Sequence, residues 1–327
     1  MKNFVTGVDV GNYDTKTPND TTNSGYKVYQ AVPYGADEVL TYNGNVYVPT
    51  LNRFPYVKDK TVDERCFMLT LIGIAKEILD TVKPDGKTDA EIQKEISEYT
   101  DLYLGVGLPP LHMSTLSEKL IEYYKKRFGE NVSFNYKGYD YSLNLKVIRC
   151  YPQDFAAVMT HTPKNDNFIT KKFKTYYAID IGGYTVDVVP IHDGRPQVEG
   201  CRSLDMGVLK MYSKITDDMN RNFGISITYD KIEDVLRGEP TILSDAEIIF
   251  IHNAAQAWLD EIINRLREDG LEFDSNPVVF IGGGSKLFKK YIKANKIIRA
   301  CDFITNPRAN ALGYKKLLMM EMKTQGR

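Results

Sequence analysis

The stretch Asp9-Val10-Gly11-Asn12-Tyr13-Asp14-Thr15-Lys16 decides the fold, because a matching stretch follows half a chain later, Asp180-Ile181-Gly182-Gly183-Tyr184-Thr185-Val186-Asp187. Each stretch has an aspartate at the end of an apolar run, then a glycine, then a second β-prone segment. This pattern predicts a strand, a turn and another strand. A unit that recurs at this distance indicates two related modules. We therefore expect an α/β protein built from two similar domains.

Both stretches carry groups that suit a phosphate ligand. Glycine lets the backbone turn so that amide groups face an anion, and Lys16 is placed to neutralise terminal phosphate charge. Mg²⁺ prefers one or two carboxylates with water and phosphate oxygens, so Asp9 and Asp180 are expected to hold a hydrated ion. Taken singly, each stretch also fits an ordinary β-hairpin. The pair favours two loops that clamp the phosphates of a nucleotide.

A third glycine-rich element follows the apolar strand Val278–Ile281. The chain passes through Gly282-Gly283-Gly284-Ser285 into a predicted helix, and a helix N-terminus is a natural place for a nucleotide. The dinucleotide fingerprint would need glycine where Leu287 stands, and no P-loop pattern occurs in the chain. Strand-to-helix turns also use glycine for packing, so this element gains weight only beside the two aspartate stretches.

The rest of the chain alternates strand and helix patterns, which favours the α/β class. Asn43-Gly44 and Gly138 predict hairpins. Strands are predicted at 4–10, 102–107, 176–180, 186–191 and 278–281, and helices at 62–82, 88–97, 114–128, 153–161, 207–221, 229–236, 244–268, 286–293 and 308–323. Residues 162–175 are polar and basic, and form the expected crossover between domains.

Composition excludes several functional classes. The 327 residues contain 42 Lys and Arg against 43 Asp and Glu, a net charge of −1, so direct nucleic-acid binding is not expected. The four cysteines are scattered and the four histidines lack metal-ligand spacing, which indicates a reducing cytoplasm without a disulfide framework or zinc site. The longest apolar stretch, 67–82, includes Lys76, Glu77 and Asp80, so no membrane span is expected.

Five segments together resemble the actin-like ATPase superfamily across nearly the whole chain: DVGNYDTK, YPQDFAAVM, IDIGGYTVDV, FIGGGSKL and NPRANALGY. Within that superfamily the sequence is most similar to the bacterial plasmid-segregation actins of the ParM type. The resemblance implies an actin-like fold, with two ribonuclease-H-like α/β domains facing each other across a nucleotide cleft. It places domain I at 1–165, with the C-terminal helix 307–327 packing back on it, and domain II at 166–306.

The resemblance also implies roles for individual residues. Gln153 would orient the attacking water, as the water-positioning residue does in phosphoryl transfer; a polar residue at a helix start is the alternative. Residues 306–313 resemble the second connecting segment, although a helix with an early proline explains them almost as well. The nucleotide-binding residues would be Asp9, Gly11, Asn12, Tyr13 and Lys16 in the first loop, Asp180, Gly182, Gly183, Tyr184 and Thr185 in the second, and Gly207, Gly282, Gly283, Gly284 and Ser285 elsewhere.

The expected function is that of a polymerising ATPase. The resemblance implies ATP as the nucleotide, with GTP as the alternative, Mg²⁺ as the metal, and slow hydrolysis that weakens the contacts between subunits. The partners would be further copies of the chain and a DNA-binding adaptor on plasmid centromere DNA. A small-molecule kinase of the related sugar-kinase superfamily needs an aspartate base, and no recognisable one is present. A filament-forming scaffold with another role stays open, and no segment after the last predicted helix suits a chaperone's peptide-binding domain.

Overall fold

The computed structural model describes residues 2–161 and 168–324. The chain divides into two compact units: Met1–His161 with Arg308–Arg327, and Thr162–Pro307. Residues 162–167 of the expected crossover, and with them the predicted boundary at 165/166, lie outside the described residues. The proposed domain limits therefore stay a prediction.

The first unit contains a mixed sheet and a small antiparallel one. Its strands are β1 (Lys2–Gly7), β2 (Asp9–Val10), β3 (Asp14–Lys16), β4 (Thr21–Asn23), β5 (Tyr26–Tyr29), β6 (Leu40–Tyr42), β7 (Asn45–Pro49), β8 (Tyr99–Leu108), β9 (Val132–Tyr136) and β10 (Tyr139–Pro152). Within the described residues, seven strands pair in the order β1-β8-β10-β9-β6-β7-β5, and β2-β3-β4 form a separate sheet. Because β1, β8 and β10 are parallel, their carboxyl ends lie at one edge.

The second unit contains one sheet built around a parallel core. Its strands are β11 (Thr175–Ile181), β12 (Val186–His192), β13 (Arg195–Pro196), β14 (Arg202–Leu204), β15 (Val278–Ile281) and β16 (Cys301–Ile304). They pair in the order β13-β12-β11-β15-β16, with β14 also on β12. Strands β11, β15 and β16 are parallel, and all four residues of β15 are buried. A strand that is buried on both faces of the sheet is expected to be apolar throughout.

The helices complete both units. In chain order they are α1 (Arg65–Val82), α2 (Asp89–Ile96), α3 (Met113–Phe128), α4 (Phe155–Thr160), α5 (Ile169–Lys172), α6 (Val208–Phe223), α7 (Tyr229–Arg237), α8 (Asp245–Glu268), α9 (Gly282–Leu287), α10 (Lys289–Ala294) and α11 (Ala309–Thr324), with 3₁₀ turns at Pro110–His112 and Val198–Gly200. Helix α1 forms the centre of the first core, where Phe67 meets Phe128 edge to face at 5.2 Å. In the described part of the chain, no helix has the length and apolar character needed to cross a membrane.

The bounds of several predicted elements differ from the structure, and three of these differences fall at predicted site residues. The strand predicted at 4–10 is two strands, because β1 ends at Gly7 and Asp9–Val10 pairs with β3 instead. The helix predicted from Gln153 begins at Phe155. The helix predicted at 286–293 begins earlier, at Gly282, and is interrupted at Phe288. The predicted hairpins at Asn43-Gly44 and Gly138 are confirmed.

The turn that follows β3 is tied to α1 by a buried carboxylate. Glu77 is only 1% exposed. It accepts hydrogen bonds from the Thr17 hydroxyl at 2.7 Å and from the Asn19 backbone and side-chain amides at 2.6 and 3.1 Å. The Arg308 guanidinium donates to the Asn19 carbonyl from the other side. The hairpin that carries the first aspartate stretch is therefore anchored at its far end.

We expect Glu77→Ala to lower the free energy of unfolding by about 3 kcal/mol, because it removes three hydrogen bonds to a charged acceptor, one of them from the buried Thr17 hydroxyl. Urea denaturation measures the change. Asp80→Ala, at an exposed position one turn away, is the control and should cost no more than about 0.5 kcal/mol. Equal losses for the two variants would contradict the anchoring role.

Candidate functional site

The first aspartate stretch forms a tight β-hairpin. Asp9 pairs with Lys16 and Val10 with Thr15 across β2 and β3. The turn closes through the Gly11 amide, which donates to the Asp14 carbonyl at 3.0 Å. Residues directly opposite each other in an antiparallel pair share a face, so the Asp9 and Lys16 side chains leave the same side of the hairpin.

Asp9 meets Gln153 at the carboxyl edge of the parallel strands. Asp9 follows β1, and the Gln153 amide hydrogen-bonds to the carbonyl of Leu108 at the end of β8, at 2.9 Å. The Gln153 side-chain nitrogen Nε2 donates to Asp9 Oδ1 at 2.7 Å, and Asp9 is only 5% exposed. The structure thus brings together two residues that are far apart in sequence, one predicted to hold Mg²⁺ and the other to orient the attacking water.

The backbone after Gln153 is strained. Asp154 has a φ of +60° and a ψ of −49°, and the Phe155 amide donates to the Gln153 carbonyl at 2.5 Å, which describes a γ-turn. The Asn310 side chain accepts from the Asp154 amide at 2.8 Å. A non-glycine residue held this way costs about 1–3 kcal/mol and tends to occur at functional sites. The turn explains why α4 starts two residues later than predicted.

The carbonyl side of the first turn faces its own unit. The Ser24 hydroxyl donates to the Gly11 carbonyl at 2.6 Å, and the Asn12 side-chain oxygen accepts from the Val57 amide at 3.1 Å. The side chain of Asn12 therefore holds the loop in shape.

Arg53 supports the same turn, and sequence reasoning missed it. Its Nε donates to the Tyr13 carbonyl at 2.8 Å, and its guanidinium carbon lies 3.6 Å from the centre of the Tyr13 ring. A terminal nitrogen reaches Asp14 at 3.2 Å and Asn23 at 2.8 Å. Nothing in the local sequence marks this arginine, because its partners, in the first turn and in β3 and β4, precede it by at least 30 positions.

The second aspartate stretch repeats the first hairpin. Asp180 pairs with Asp187 and Ile181 with Val186. The Gly182 amide donates to the Thr185 carbonyl at 2.9 Å, the counterpart of the closing bond at Gly11. The Thr185 hydroxyl donates to Asp187 at 2.7 Å. The two hairpins differ in charge at the last position, where the first has Lys16 and the second has Asp187.

The N-terminus of α6 holds the carbonyl groups of this second turn. The amides of Gly207, Val208 and Leu209 donate at 2.9, 3.1 and 3.0 Å. The acceptors are the carbonyls of Tyr184, Gly182 and Gly183 respectively. Gly207, predicted to approach the nucleotide, is thus placed against the loop itself.

The third glycine segment forms the first turn of α9 and not the predicted loop. Gly282 has a φ of +84°, and a Cβ there would lie 2.0 Å from Asp180 Oδ1. A Cβ at Gly284 would lie 2.5 Å from the Ile181 carbonyl, whereas none of the described atoms lies within 4 Å of one at Gly283. The Ser285 hydroxyl donates to the Ile281 carbonyl and is buried. This segment therefore packs directly beside Asp180.

No group of three or more His, Cys, Asp or Glu side chains suited to a metal occurs in the described part of the chain. A divalent ion bound by one or two carboxylates would have to take its other ligands from water and phosphate.

Comparison with known proteins identifies the fold. Residues 178–294 match the family model described as the archaeal actin homologue MreB-like, C-terminal. No curated protein matches the chain in sequence. Solved structures confirm the predicted actin-like α/β fold.

Three of these structures illustrate the likeness. The archaeal actin homolog Ta0583 is 18% identical, covers 98% of this chain and 100% of its own, and has a TM-score of 0.72. The apo pSK41 ParM protein is 14% identical, with 100% of both chains covered and a TM-score of 0.71. The subunit of a 15-stranded ParM filament from Clostridium botulinum is 18% identical, covers 98% and 100%, and has a TM-score of 0.69.

We expect Gly282→Ala to destabilise the chain by about 1–3 kcal/mol, because the new methyl group meets the Asp180 carboxylate and the backbone has a positive φ. Thermal unfolding measures the loss. Gly283→Ala is the matched control, since its methyl group enters open space and should change stability by no more than about 0.5 kcal/mol. A Gly282 variant as stable as the Gly283 variant would refute the close approach.

Proposed function

We propose that this chain, which has the actin-like fold, binds ATP with Mg²⁺, hydrolyses it slowly and assembles into filaments. The observation that carries the proposal is the repeated hairpin. Each unit has an aspartate followed by a glycine whose amide closes the turn, at Gly11 and at Gly182. Among the solved structures of this fold, Ta0583 is described in complex with ADP and a Bacillus thuringiensis ParM with ATP.

The backbone of each loop supports phosphate binding. The carbonyls of the second turn are held by α6, and the amides of Gly183 and Thr185 donate to no backbone carbonyl among residues 168–324. Successive amides in such a turn make a concave site for an anion. In the first loop the Asn12 amide has the same role, and Lys16 adds a positive charge. The glycine segment at 282–284 would lie against the adenosine.

The carboxylates of Asp9 and Asp180 suit Mg²⁺. Asp9 Oδ1 accepts from Gln153, which leaves its second oxygen for a metal-bound water. An oxygen donor set of one or two carboxylates fits Mg²⁺ better than a softer metal. When bound, the ion neutralises charge on the phosphates.

In our proposal Gln153 orients the attacking water. An ionised carboxylate can only accept hydrogen bonds, so the Gln153 nitrogen must face Asp9 and its carbonyl oxygen must point elsewhere. That oxygen accepts a hydrogen bond from water and aligns it with the terminal phosphate. The strained Asp154 turn fixes the backbone from which this side chain extends.

The cellular role that we propose is segregation of plasmid DNA. Similar structures include the ParM filament from Clostridium botulinum and an Alp12 filament. In our proposal this chain assembles with further copies of itself in the cytoplasm, and hydrolysis weakens the contacts between them. A net charge of −1 favours indirect contact with DNA through an adaptor on the plasmid centromere.

Sedimentation with ATP, ADP or no nucleotide tests the assembly directly. We expect the chain to pellet with ATP and Mg²⁺ and to return to the supernatant as phosphate is released, because hydrolysis weakens the subunit contacts. Light scattering over the same period measures the cycle. Absence of assembly at every concentration, together with ADP release stimulated by a sugar or another hydroxyl compound, would favour a kinase and defeat the filament proposal.

Gln153→Ala should slow phosphate release at least about tenfold, because the water loses its positioning group. ATP-induced assembly should persist and the filaments should live longer. Phosphate release and light scattering in one sample measure both effects. Gln93→Ala, which removes a surface glutamine bonded to Asp140, is the control and should behave as wild type. Unchanged hydrolysis in the Gln153 variant would remove this residue from the mechanism.

A further inference from the structure

The Tyr314 side chain packs against β8 at positions where the strand has glycines. Helix α11 approaches β1 and β8 so closely that a Cβ at Gly7 would lie 2.1 Å from the Ala311 carbonyl. A Cβ at Gly105 would lie 2.8 Å from the Tyr314 Cβ, and one at Gly107 would lie 2.1 Å from the Tyr314 hydroxyl oxygen. The ring therefore runs along β8 from Gly105 toward Gly107.

This direction brings the hydroxyl toward the candidate site. Gly107 is followed by Leu108, whose carbonyl accepts from the Gln153 amide at 2.9 Å. Tyr151, two residues before Gln153, pairs with Gly107 in the sheet, and its ring stacks on Tyr314 with centroids 6.2 Å apart. The Tyr314 hydroxyl thus lies near the carboxyl edge of the parallel strands, where Asp9 contacts Gln153.

The hydroxyl of Tyr314 is buried and makes no well-formed hydrogen bond to the described residues, although the Gln153 side chain lies close enough to affect its pKa. A buried hydroxyl without a well-formed hydrogen bond is unfavourable, and phenylalanine would fill the same space without that penalty. Burial raises the pKa of the phenol well above its usual value, the carboxyls of Asp9 and Asp154 raise it further, and the Gln153 side chain opposes them weakly. The hydroxyl therefore lies close to these three residues.

We propose that Tyr314 is a positioning residue for Gln153. The Gln153 nitrogen carries two hydrogens, and one of them is donated to Asp9. The Tyr314 hydroxyl oxygen is the nearby acceptor that remains for the second. With both hydrogens engaged, the amide has one orientation, and its carbonyl oxygen is held ready for water. This inference deepens the proposed function and rests on it.

The isosteric variant Tyr314→Phe tests the proposal in the full chain. We expect single-turnover ATP hydrolysis to slow by about threefold to tenfold, which is the loss of one ordinary hydrogen bond. The Kd for ATP should stay within about twofold of wild type and the melting temperature should not fall, because only a buried hydroxyl is removed. Slower hydrolysis with unchanged affinity and stability is a result that a purely structural tyrosine would not give.

Two controls make the test specific. Tyr136→Phe removes another fully buried hydroxyl without a partner in the described first unit, away from Asp9, and should hydrolyse ATP as wild type does. In the Gln153→Ala background, Tyr314→Phe should have no further effect, because residues that act through one another are not additive.

The outcomes separate the two proposals. Wild-type hydrolysis by Tyr314→Phe, a further loss in the Gln153→Ala background, or an equal loss in Tyr136→Phe would overturn the role of Tyr314 alone. A wild-type chain that binds ATP but never hydrolyses it would overturn the proposed function and this inference with it.

Discussion

The close approach of α11 to β1 and β8 is the constraint on which the first unit depends. At this distance only hydrogen fits at Gly7 and Gly105, so the last described helix closes over the first strand of the chain. The same helix brings Asn310 to the Asp154 amide. The strained turn that presents Gln153 therefore depends on packing between the two ends of the sequence. Strain of about 1–3 kcal/mol persists only where surrounding contacts fix the geometry in this way.

The two aspartate hairpins have the same backbone geometry but different surroundings. In both, an amide that follows the aspartate by two residues closes the turn, and the carbonyls of the turn are engaged within the same unit. The supporting groups are unrelated: Ser24 and Arg53 hold the first turn, whereas the N-terminus of α6 holds the second. The two halves of the chain therefore share the backbone geometry of the turn, although different side chains and backbone groups stabilise it in each half. Anion binding by backbone amides needs this geometry and no particular side chain.

Local sequence signals predicted much of the fold, and contacts between distant residues account for the rest. Asn43-Gly44 and Val278–Ile281 specify their elements through neighbouring residues, so the hairpin and the buried strand could be predicted. The sequence does not predict that the chain changes its pairing partner after Gly7, because the apolar pattern of a strand does not depend on which strand it pairs with. The same reason hides Arg53, whose partners lie 30 to 40 positions away. Of the candidate site, the loops could be predicted, but the contacts that orient them could not.

Asp9 illustrates how burial and function are linked in this site. A buried carboxylate is costly unless its charge is compensated, and Gln153 supplies a hydrogen bond without supplying a charge. Glu77, another buried carboxylate that contacts the hairpin region, is likewise held by neutral donors. A neutral donor fixes the position of a carboxylate and leaves its negative charge uncancelled, whereas an arginine in the same place would cancel it. If the proposed function holds, Asp9 is therefore positioned before the ligand binds, and the cation that compensates its buried negative charge binds together with the nucleotide.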